Sequence, residues 1–433
     1  MKRFFAGIVI LLMGRLLGCG FAAMAQTPQA TELPGKLFDI QKTWKIGGEG
    51  NWDYLTLDPV ALKLYIAHGP VVQIVDVNTG TMVGQVTGLH EAHGIALDDN
   101  GQYGYVSDGP ANEVKVFDRQ TLEIVSTVTT GKNPRAIVFE PVSRLVFVIC
   151  PDAMTSESKI PHRTASGSNV PVSSDPLVKS TVTIIDADTQ KHLADLELPG
   201  KLGFAQADGK GMVYVNITDR NQISYFNAQG IESRLRKLAE GSPESPKSDG
   251  TRSDGSKPTG PRDPTLTLDW SDTAAETQAI SKPLHSFRLQ ECQSPRGLAV
   301  DSANQRLFVA CENMKMQVLN AADGQVLTTL PIGAGTDAVG YDANRGLIYA
   351  SNGGGVGSLT IIRQHLTDSY DVIQELPTRA RARTMAVNPA NGEVYLVTNV
   401  TGFDLTHNGG IGGLKTAELA GSFQILVVGS LSN

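Results

Sequence analysis

The chain repeats one short apolar pattern seven times, and this repeat constrains its fold more than any other feature. Each copy opens with an aromatic residue, and the seven copies are Tyr65-Ile66-Ala67-His68, Tyr105-Val106-Ser107-Asp108, Phe147-Val148-Ile149-Cys150, Tyr214-Val215-Asn216-Ile217, Phe308-Val309-Ala310-Cys311, Tyr349-Ala350-Ser351-Asn352 and Tyr395-Leu396-Val397-Thr398. A second short apolar run follows each copy. Units of roughly 40 residues with four short strands are typical of propeller blades. The sequence therefore predicts an all-β, seven-bladed β-propeller of four-stranded antiparallel blades.

The spacing of one polar position supports this period. A carboxylate or amide recurs in the turn after the first strand of each unit, at Asp58, Asp98, Glu140, Asp208, Asp301, Asp342 and Asn388. Successive members are 40, 42, 68, 93, 41 and 46 residues apart. The two long steps contain stretches rich in Ser, Pro and Gly, which indicate insertions into a regular ring.

Three insertions are predicted within a propeller that spans residues 38–429. They occupy residues 151–179, 229–282 and 399–421. Residues 231–240 in the second insertion have the pattern of a short helix. Residues 241–264 lack large apolar side chains, so we predict that they are disordered.

The last unit lacks a fourth strand of its own, because the chain ends soon after its third strand at residues 423–428. Residues 38–46 near the other terminus have the pattern of the missing strand. We therefore expect this N-terminal strand to pair with the last blade and close the ring. Closure of this kind removes a sheet edge that would otherwise be open to aggregation.

The first 25 residues have the pattern of an export signal. Lys2-Arg3 precedes an apolar run at residues 4–13, and Ala23-Met24-Ala25 is a small-residue cleavage site. A competing interpretation is lipidation of Cys19, which follows a sequence similar to a lipobox. Both predict a protein outside the cytoplasm, either periplasmic or secreted in the first case, or an outer-membrane lipoprotein in the second. No other segment has the length and hydropathy of a transmembrane helix.

The net charge of the chain narrows the range of partners. The formal net charge of −7 argues against a nucleic-acid partner, which would favour a basic surface.

Outside the signal, Cys150, Cys292 and Cys311 remain. Cys292 and Cys311 belong to one blade and one face, so they are the candidate disulfide. Two free thiols, or a pair that includes Cys150, stay open as alternatives.

The candidate binding residues lie on one face of the predicted ring. If the four strands of a blade are lettered a to d from the axis outward, the d–a and b–c connections share a face, here called the axial face. Its candidate ligand-binding residues are Trp52, Asp53, His68, His93, Asp108, Arg135, Arg296, Asp337, Asn352 and Arg383. His162 and His407, from two of the insertions, map to the same face.

Each candidate also has a purely structural interpretation. His68 and His93, with Asp53 or Asp108, are weak candidates for a divalent metal site, but the chain has no HExxH, CxxC or haem-attachment motif. The sequence therefore identifies no catalytic residue and predicts no cofactor. The three arginines that precede strand a, Arg135, Arg296 and Arg383, would suit either an anionic ligand or ion pairs that lock adjacent blades. Their recurrence favours the second role.

Several of these segments resemble the YVTN-type (YncE-like) bacterial β-propeller repeat. The segments that carry the resemblance are Tyr105-Val106-Ser107-Asp108, Tyr349-Ala350-Ser351-Asn352, Tyr395-Leu396-Val397-Thr398-Asn399, Pro134-Arg135-Ala136-Ile137 and Pro295-Arg296-Gly297-Leu298-Ala299-Val300-Asp301. The resemblance implies an exported seven-bladed propeller and does not imply a particular reaction. Ile217 stands where a polar residue is usual.

These observations favour a binding or scaffold module for a small ligand or a protein partner. A rigid ring with variable loops suits that role, because function resides in the loops and not in the fold. One alternative is a metal-dependent lactonase or other hydrolase with its site on the axial face. Another is a redox-partner propeller, which would need a partner subunit because the chain has no covalent haem site.

Overall fold

Seven blades, each of four antiparallel strands, form a ring in the computed structural model, which confirms the predicted seven-bladed β-propeller. The structure describes residues 36–151, 179–241, 267–268, 284–366, 368–404 and 415–431. His162, His407 and residues 242–264 of the predicted disordered stretch lie outside these ranges.

The strands follow one another around the ring in chain order. After β1 (Phe38–Lys45), blades 1 to 3 contain β2 (Trp52–Asp58), β3 (Lys63–His68), β4 (Val71–Asp76), β5 (Thr81–Val86), β6 (Ala92–Leu97), β7 (Tyr103–Asp108), β8 (Glu113–Asp118), β9 (Ile124–Thr129), β10 (Ile137–Glu140), β11 (Leu145–Cys150), β12 (Lys179–Asp186) and β13 (Lys191–Pro199). Blade 4 and its insertion contain β14 (Leu202–Ala207), β15 (Met212–Ile217), β16 (Gln222–Asn227), α1 (Ala228–Gly241), β17 (Thr267–Leu268) and β18 (Leu284–Arg288). The short β17 pairs with β13 of blade 3 in parallel.

Blades 5 to 7 complete the ring. They contain β19 (Pro295–Asp301), β20 (Arg306–Cys311), β21 (Lys315–Asn320), β22 (Val326–Pro331), β23 (Thr336–Asp342), β24 (Leu347–Asn352), β25 (Ser358–Gln364), β26 (Tyr370–Pro377), β27 (Met385–Val387), β28 (Val394–Thr398), β29 (Thr401–Asp404), β30 (Lys415–Glu418) and β31 (Gln424–Ser430). β29 and β30 form a separate hairpin in the connection between β28 and β31.

The repeated tetrapeptides form strand b of each blade, and their aromatic residues build the core. All seven aromatic side chains are buried, at Tyr65, Tyr105, Phe147, Tyr214, Phe308, Tyr349 and Tyr395. Because successive side chains of a strand point to opposite faces, each strand b packs against both neighbouring blades. The core is therefore a series of apolar layers between blades.

The recurring carboxylates hold the a–b turns. Asp58 Oδ1 accepts the backbone N–H groups of Val60 and Ala61, each at 2.9 Å. Asp342 Oδ1 likewise accepts those of Asn344 and Arg345. An acid in this place satisfies turn amides that would otherwise lack a partner, which explains why the position recurs in the sequence.

The N-terminal strand closes the ring, as predicted. β1 pairs antiparallel with β31, from Phe38 opposite Ser430 to Lys45 opposite Gln424. The Trp44 ring stacks on Tyr395, with 5.7 Å between the ring centroids. The outer strand of blade 7 thus comes from the opposite end of the chain to its other three strands.

The second insertion begins with a helix. α1 starts directly after β16 and contains residues 231–240, where the sequence predicted a helix. Asn227 caps it, because its Oδ1 accepts the N–H of Gly230 at 2.8 Å. Ile231 is buried in the same core cluster as Phe226, which fixes the first turn to the blade. In the part of the chain that the structure describes, no helix is long and apolar enough to cross a membrane.

Candidate functional site

The innermost strands surround a channel along the ring axis. Strands a of all seven blades line it, and its volume is about 420 Å³. Small residues occur here because neighbouring strands approach closely. A Cβ atom on Gly94 would lie 2.3 Å from the carbonyl oxygen of Arg135 in the next blade, so this position tolerates no side chain.

A second cavity, of about 320 Å³, opens at the axial face. We call it the axial mouth. Its charged lining residues are Asp53, Arg135, Lys201, Arg296, Asp337 and Arg383. The rings of Tyr54 and Phe204 line both the mouth and the channel. Their centroids are 5.1 Å apart, so together they form an aromatic floor between the two cavities.

Asp53 is the better-enclosed carboxylate of the mouth. Its Oδ2 lies 2.8 Å from Nδ1 of His93, which is buried, and 3.7 Å from a terminal nitrogen of Arg135. The Asp53 side chain is 14% exposed, whereas Arg135 is 48% exposed. The Asp53 carboxylate thus lies next to a buried histidine on one side and a half-exposed guanidinium on the other.

Asp337, in blade 6, is the second carboxylate of the charged rim. Its Oδ2 lies 2.9 Å from Nε of Arg383, an ion pair between blades 6 and 7. Burial raises the pKa of Asp337, and the nearby guanidinium groups of Arg383 and Arg296 oppose that rise. Arg296 also pairs with Glu312 of its own blade at 3.0 Å. The arginines of the mouth therefore have carboxylate neighbours yet remain about 40% exposed.

The backbone at each of these arginines is fixed by the preceding blade. Ser107 Oγ donates to the carbonyl oxygen of Arg135 at 2.6 Å, and Asn216 Nδ2 donates to that of Arg296 at 2.8 Å. Ser351 Oγ makes the equivalent bond to the carbonyl of Arg383. All three donors are the third residue of a tetrapeptide, in blades 2, 4 and 6. The repeat thus positions an arginine in every second blade.

Five of the ten predicted candidates line the axial mouth, and a sixth adjoins it. The five are Asp53, Arg135, Arg296, Asp337 and Arg383, and the sixth is His93, which contacts Asp53. Trp52, His68, Asp108 and Asn352 do not line the mouth, and each has a local role instead.

Trp52 and His68 pack at the junction of blades 7 and 1. Trp52 is buried against Phe423, and the guanidinium of Arg381 lies 4.6 Å from its ring centroid. His68 contacts the Gln73 side chain at 3.0 Å and the Gly50 carbonyl at 3.2 Å. Burial lowers the pKa of His68. Trp52 therefore neither stacks at the mouth nor plugs the channel.

Asp108 and Asn352 are fully buried and fasten loops. Asp108 accepts the backbone N–H groups of His90 and Glu91 at 2.9 and 3.0 Å. Asn352 Nδ2 donates to Thr360 Oγ1 at 2.8 Å. With their polar atoms engaged in this way, these side chains support the axial loops rather than present groups to a ligand.

The sequence reasoning missed Tyr54, Phe204 and Lys201. The first two directly follow the rim position of their blades, after Asp53 and Gly203 respectively. In the other blades this position holds small residues, namely Gly94, Ala136, Gly297, Ala338 and Thr384. An aromatic side chain at a position that is otherwise small was the available signal for both.

No metal site is evident in the described residues. They contain no group of three or more His, Cys, Asp or Glu side chains placed to hold an ion, and His68 and His93 have the separate partners given above.

Cys292 and Cys311 form a disulfide with 5.3 Å between their Cα atoms, one of the pairings that the sequence left open. Cys150 is a buried thiol, and burial raises its pKa to about 12.

Comparison with known proteins identifies the fold alone. No family model and no curated protein matches the chain, so the YVTN-type assignment stays a prediction. Among solved structures, the chain is similar to the WD40 repeats of RRP9, at 9% identity and TM-score 0.58, over 90% of this chain and 97% of that one. It is also similar to U3-55K, at 9% identity and TM-score 0.57, over 90% and 98%. Kuenenia stuttgartiensis hydrazine synthase is similar at 13% identity and TM-score 0.54, over 92% and 99%.

Proposed function

We propose that this protein is a binding module whose axial mouth holds a small organic anion. The observation that carries the proposal is the charge of the mouth, where four cationic side chains face two carboxylates. The excess of two positive charges occurs in a chain whose formal net charge is −7. A local charge opposite to that of the whole molecule favours a negatively charged ligand.

The aromatic floor adds a second requirement for the ligand. Tyr54 and Phe204 present apolar ring surface beneath the cations. A flat apolar group on this floor would place an attached carboxylate, sulfonate or phosphate within reach of guanidinium groups, which bind such anions through two parallel hydrogen bonds. An aromatic acid satisfies both requirements, whereas inorganic phosphate satisfies only one.

Preorganisation supports binding at this place. The carbonyl groups of Arg135, Arg296 and Arg383 are each held by a side chain of the preceding blade. Fixing the backbone before the ligand arrives lowers the entropy lost on association. The side chains themselves remain partly exposed, so an anion can replace the water around them.

We also propose that the protein works outside the cytoplasm and belongs with YVTN-type propellers. The export proposal rests on the N-terminal pattern of the sequence, and the Cys292–Cys311 disulfide suits an oxidising compartment. The family proposal rests on the tetrapeptides.

Isothermal titration with three related ligands tests the binding proposal. We expect benzoate to bind with higher affinity than acetate, because only benzoate covers the aromatic floor. We expect benzamide, a neutral compound of nearly the same shape, to bind at least tenfold more weakly than benzoate, since it lacks the charge that the arginines recognise. Benzoate affinity should fall as salt is added. Equal affinities for benzoate and benzamide would overturn the proposal.

A further inference from the structure

A buried arginine joins blades 1 and 2 on the face opposite the axial mouth. Arg119 directly follows β8, and its side chain is 8% exposed. Its guanidinium pairs with Asp58 of blade 1 and donates to the carbonyl oxygen of Asp98 at 3.0 Å. The hydroxyl of Tyr65 lies beside it and interacts with it. A tyrosine, two turn carboxylates and one guanidinium therefore fill this junction.

The same positions recur between blades 4 and 5, but the arginine is missing. Ala321 follows β21 as Arg119 follows β8. The backbone places them equivalently, because the Arg119 N–H donates to the Gln102 carbonyl and the Ala321 N–H to the Gln305 carbonyl, both at 2.9 Å. The remaining positions correspond in turn, with Tyr214 for Tyr65, Asp208 for Asp58 and Asp301 for Asp98.

A cavity of about 260 Å³ opens where the arginine would lie. We call it the blade 4–5 cleft, and its walls include Asp208, Tyr214, Tyr225, Asp301, Ser302 and Ala321. The rings of Tyr214 and Tyr225 stack, with centroids 5.8 Å apart, and form an aromatic wall. The cleft thus combines carboxylate, hydroxyl and aromatic surface.

Two polar groups of the cleft can accept a hydrogen bond from a ligand. Asp208 Oδ1 accepts the N–H groups of Lys210 and Met212, while its Oδ2 has no hydrogen-bond donor among the described residues. Tyr214 is only 4% exposed, and over the same ranges its hydroxyl has no hydrogen-bond partner. Both oxygens border the open cleft and are not sealed from solvent, so a hydrogen-bond donor of an incoming group can reach them.

The other charged groups of the cleft are already engaged. Asp301 Oδ2 accepts hydrogen bonds from Asn304, Tyr341 and Gln364. The Lys210 ammonium donates to the Ser302 carbonyl at 2.7 Å. The carboxylate left to an incoming group is therefore that of Asp208.

We propose that the blade 4–5 cleft binds an alkylguanidinium group, in the place that Arg119 fills between blades 1 and 2. A guanidinium would donate to Asp208 Oδ2 and the Tyr214 hydroxyl, and its flat face would lie against the tyrosine rings. The group comes either from a free small molecule or from an arginine side chain of a polypeptide. The cleft is independent of the axial mouth, so either site can exist without the other.

Titration of the full chain with ethylguanidinium tests this inference. We expect saturable binding that Asp208→Asn weakens at least tenfold, because a charged hydrogen-bond acceptor is lost while the Oδ1 turn contact is kept. Ala321→Arg should abolish binding and raise the melting temperature, since the new side chain would occupy the cleft. Gln120→Arg is the matched control. It adds the same charge in the corresponding turn of blade 2 and should leave binding unchanged.

Two outcomes would overturn the inference. One is no saturable binding of ethylguanidinium by the wild-type chain. The other is binding that neither Asp208→Asn nor Ala321→Arg reduces, which would place the ligand elsewhere. A capped Gly-Arg-Gly peptide separates the two sources. Affinity at least equal to that of ethylguanidinium supports a polypeptide arginine, and exclusion of the peptide while ethylguanidinium binds supports a small molecule.

Discussion

The two faces of the ring use charged residues in different ways. On the face of the a–b turns, carboxylates are engaged with backbone amides, and Arg119 is buried between Asp58 and Asp98. On the axial face, Arg135, Arg296 and Arg383 are 48%, 42% and 37% exposed, although each lies near a carboxylate. The first set holds the fold together, and the second remains available to a ligand.

The two sets of charged residues also differ in how they recur along the sequence. The turn acid recurs in nearly every blade, as expected of a residue that each blade needs for its own turn. The rim position changes from blade to blade, as Asp53, His93, Arg135, Gly203, Arg296, Asp337 and Arg383. The uniform turn acid thus has a structural role, whereas the uneven rim position is where we place the proposed site.

The largest effect is expected at the buried ion pair of the turn face. Arg119→Ala leaves the Asp58 carboxylate buried without its partner, so the free energy of unfolding should fall by about 3–5 kcal/mol. Chemical denaturation measures this loss. Arg144→Ala is the control, because Arg144 bridges Asp99 and Asp188 at the surface and its removal should cost less than about 1 kcal/mol. Similar losses of unfolding free energy in both variants would show that buried and exposed ion pairs contribute equally to stability.

At the axial mouth, a substitution is expected to weaken ligand binding and to leave stability nearly unchanged. Arg296→Gln removes a cation that contacts the proposed anion, so benzoate affinity should fall about tenfold or more, while unfolding changes by less than about 1 kcal/mol. Titration and denaturation of the same preparation measure both quantities. Arg144→Gln should leave benzoate binding intact. A stable variant with unchanged affinity would show that the rim arginines are structural.

A smaller effect on both stability and binding is expected at Ser107, which fixes the backbone of a mouth arginine. Ser107→Ala removes the donor that fixes the Arg135 carbonyl, so we expect a loss of about 1–3 kcal/mol in stability and a severalfold loss in benzoate affinity. Ser126→Ala, on the outer strand β9, is a control for the loss of a hydroxyl. If Ser107→Ala alters stability alone, the carbonyl contacts do not preorganise the mouth.

The smallest effect is expected from pH. Because burial raises the pKa of Asp337, this carboxyl takes up a proton at a higher pH than an ordinary aspartate as pH falls. Protonation removes one negative charge from the mouth, so affinity for an anion should rise severalfold. Benzenesulfonate is the suitable probe, since it stays ionised. Asp337→Asn should remove this pH dependence, and a wild-type affinity that decreases as the pH is lowered would contradict the assignment.

The same carboxyl also contributes to the pH dependence of stability. Its pKa is higher in the folded than in the unfolded state, so the folded state binds more protons between the two values. The contribution of Asp337 to stability therefore decreases as pH rises through that window. In Asp337→Asn this part of the pH dependence should be absent.

The sequence predicted the fold well because propeller blades recur with a fixed period. The aromatic tetrapeptides, the turn acids and the N-terminal closing strand all follow from periodicity and strand alternation. Of the ten candidate binding residues, five line the axial mouth. In β2 the register shifts between Trp52 and Leu55, and it is the Tyr54 ring, not the Trp52 ring, that lines the mouth and channel. A local bulge of this kind has no signal in strand alternation alone.

His68 does not line the axial mouth, for a related reason. Strand topology places a residue on a face but does not say which loop covers it. The segment Gly47–Gly50 packs over His68 and Gln73, and the carbonyls of Gly50 and Gly47 contact these two side chains respectively. The blade 4–5 cleft is likewise visible only when the two junctions are compared in three dimensions.

Anomalous diffraction from crystals grown with para-bromobenzoate tests the central claim most directly. We expect one strong bromine peak above the Tyr54–Phe204 floor, with the carboxylate within hydrogen-bonding distance of at least one of Arg135, Arg296 and Arg383. Bromine peaks that lie only outside the axial mouth, in crystals that leave this cavity accessible, would contradict it.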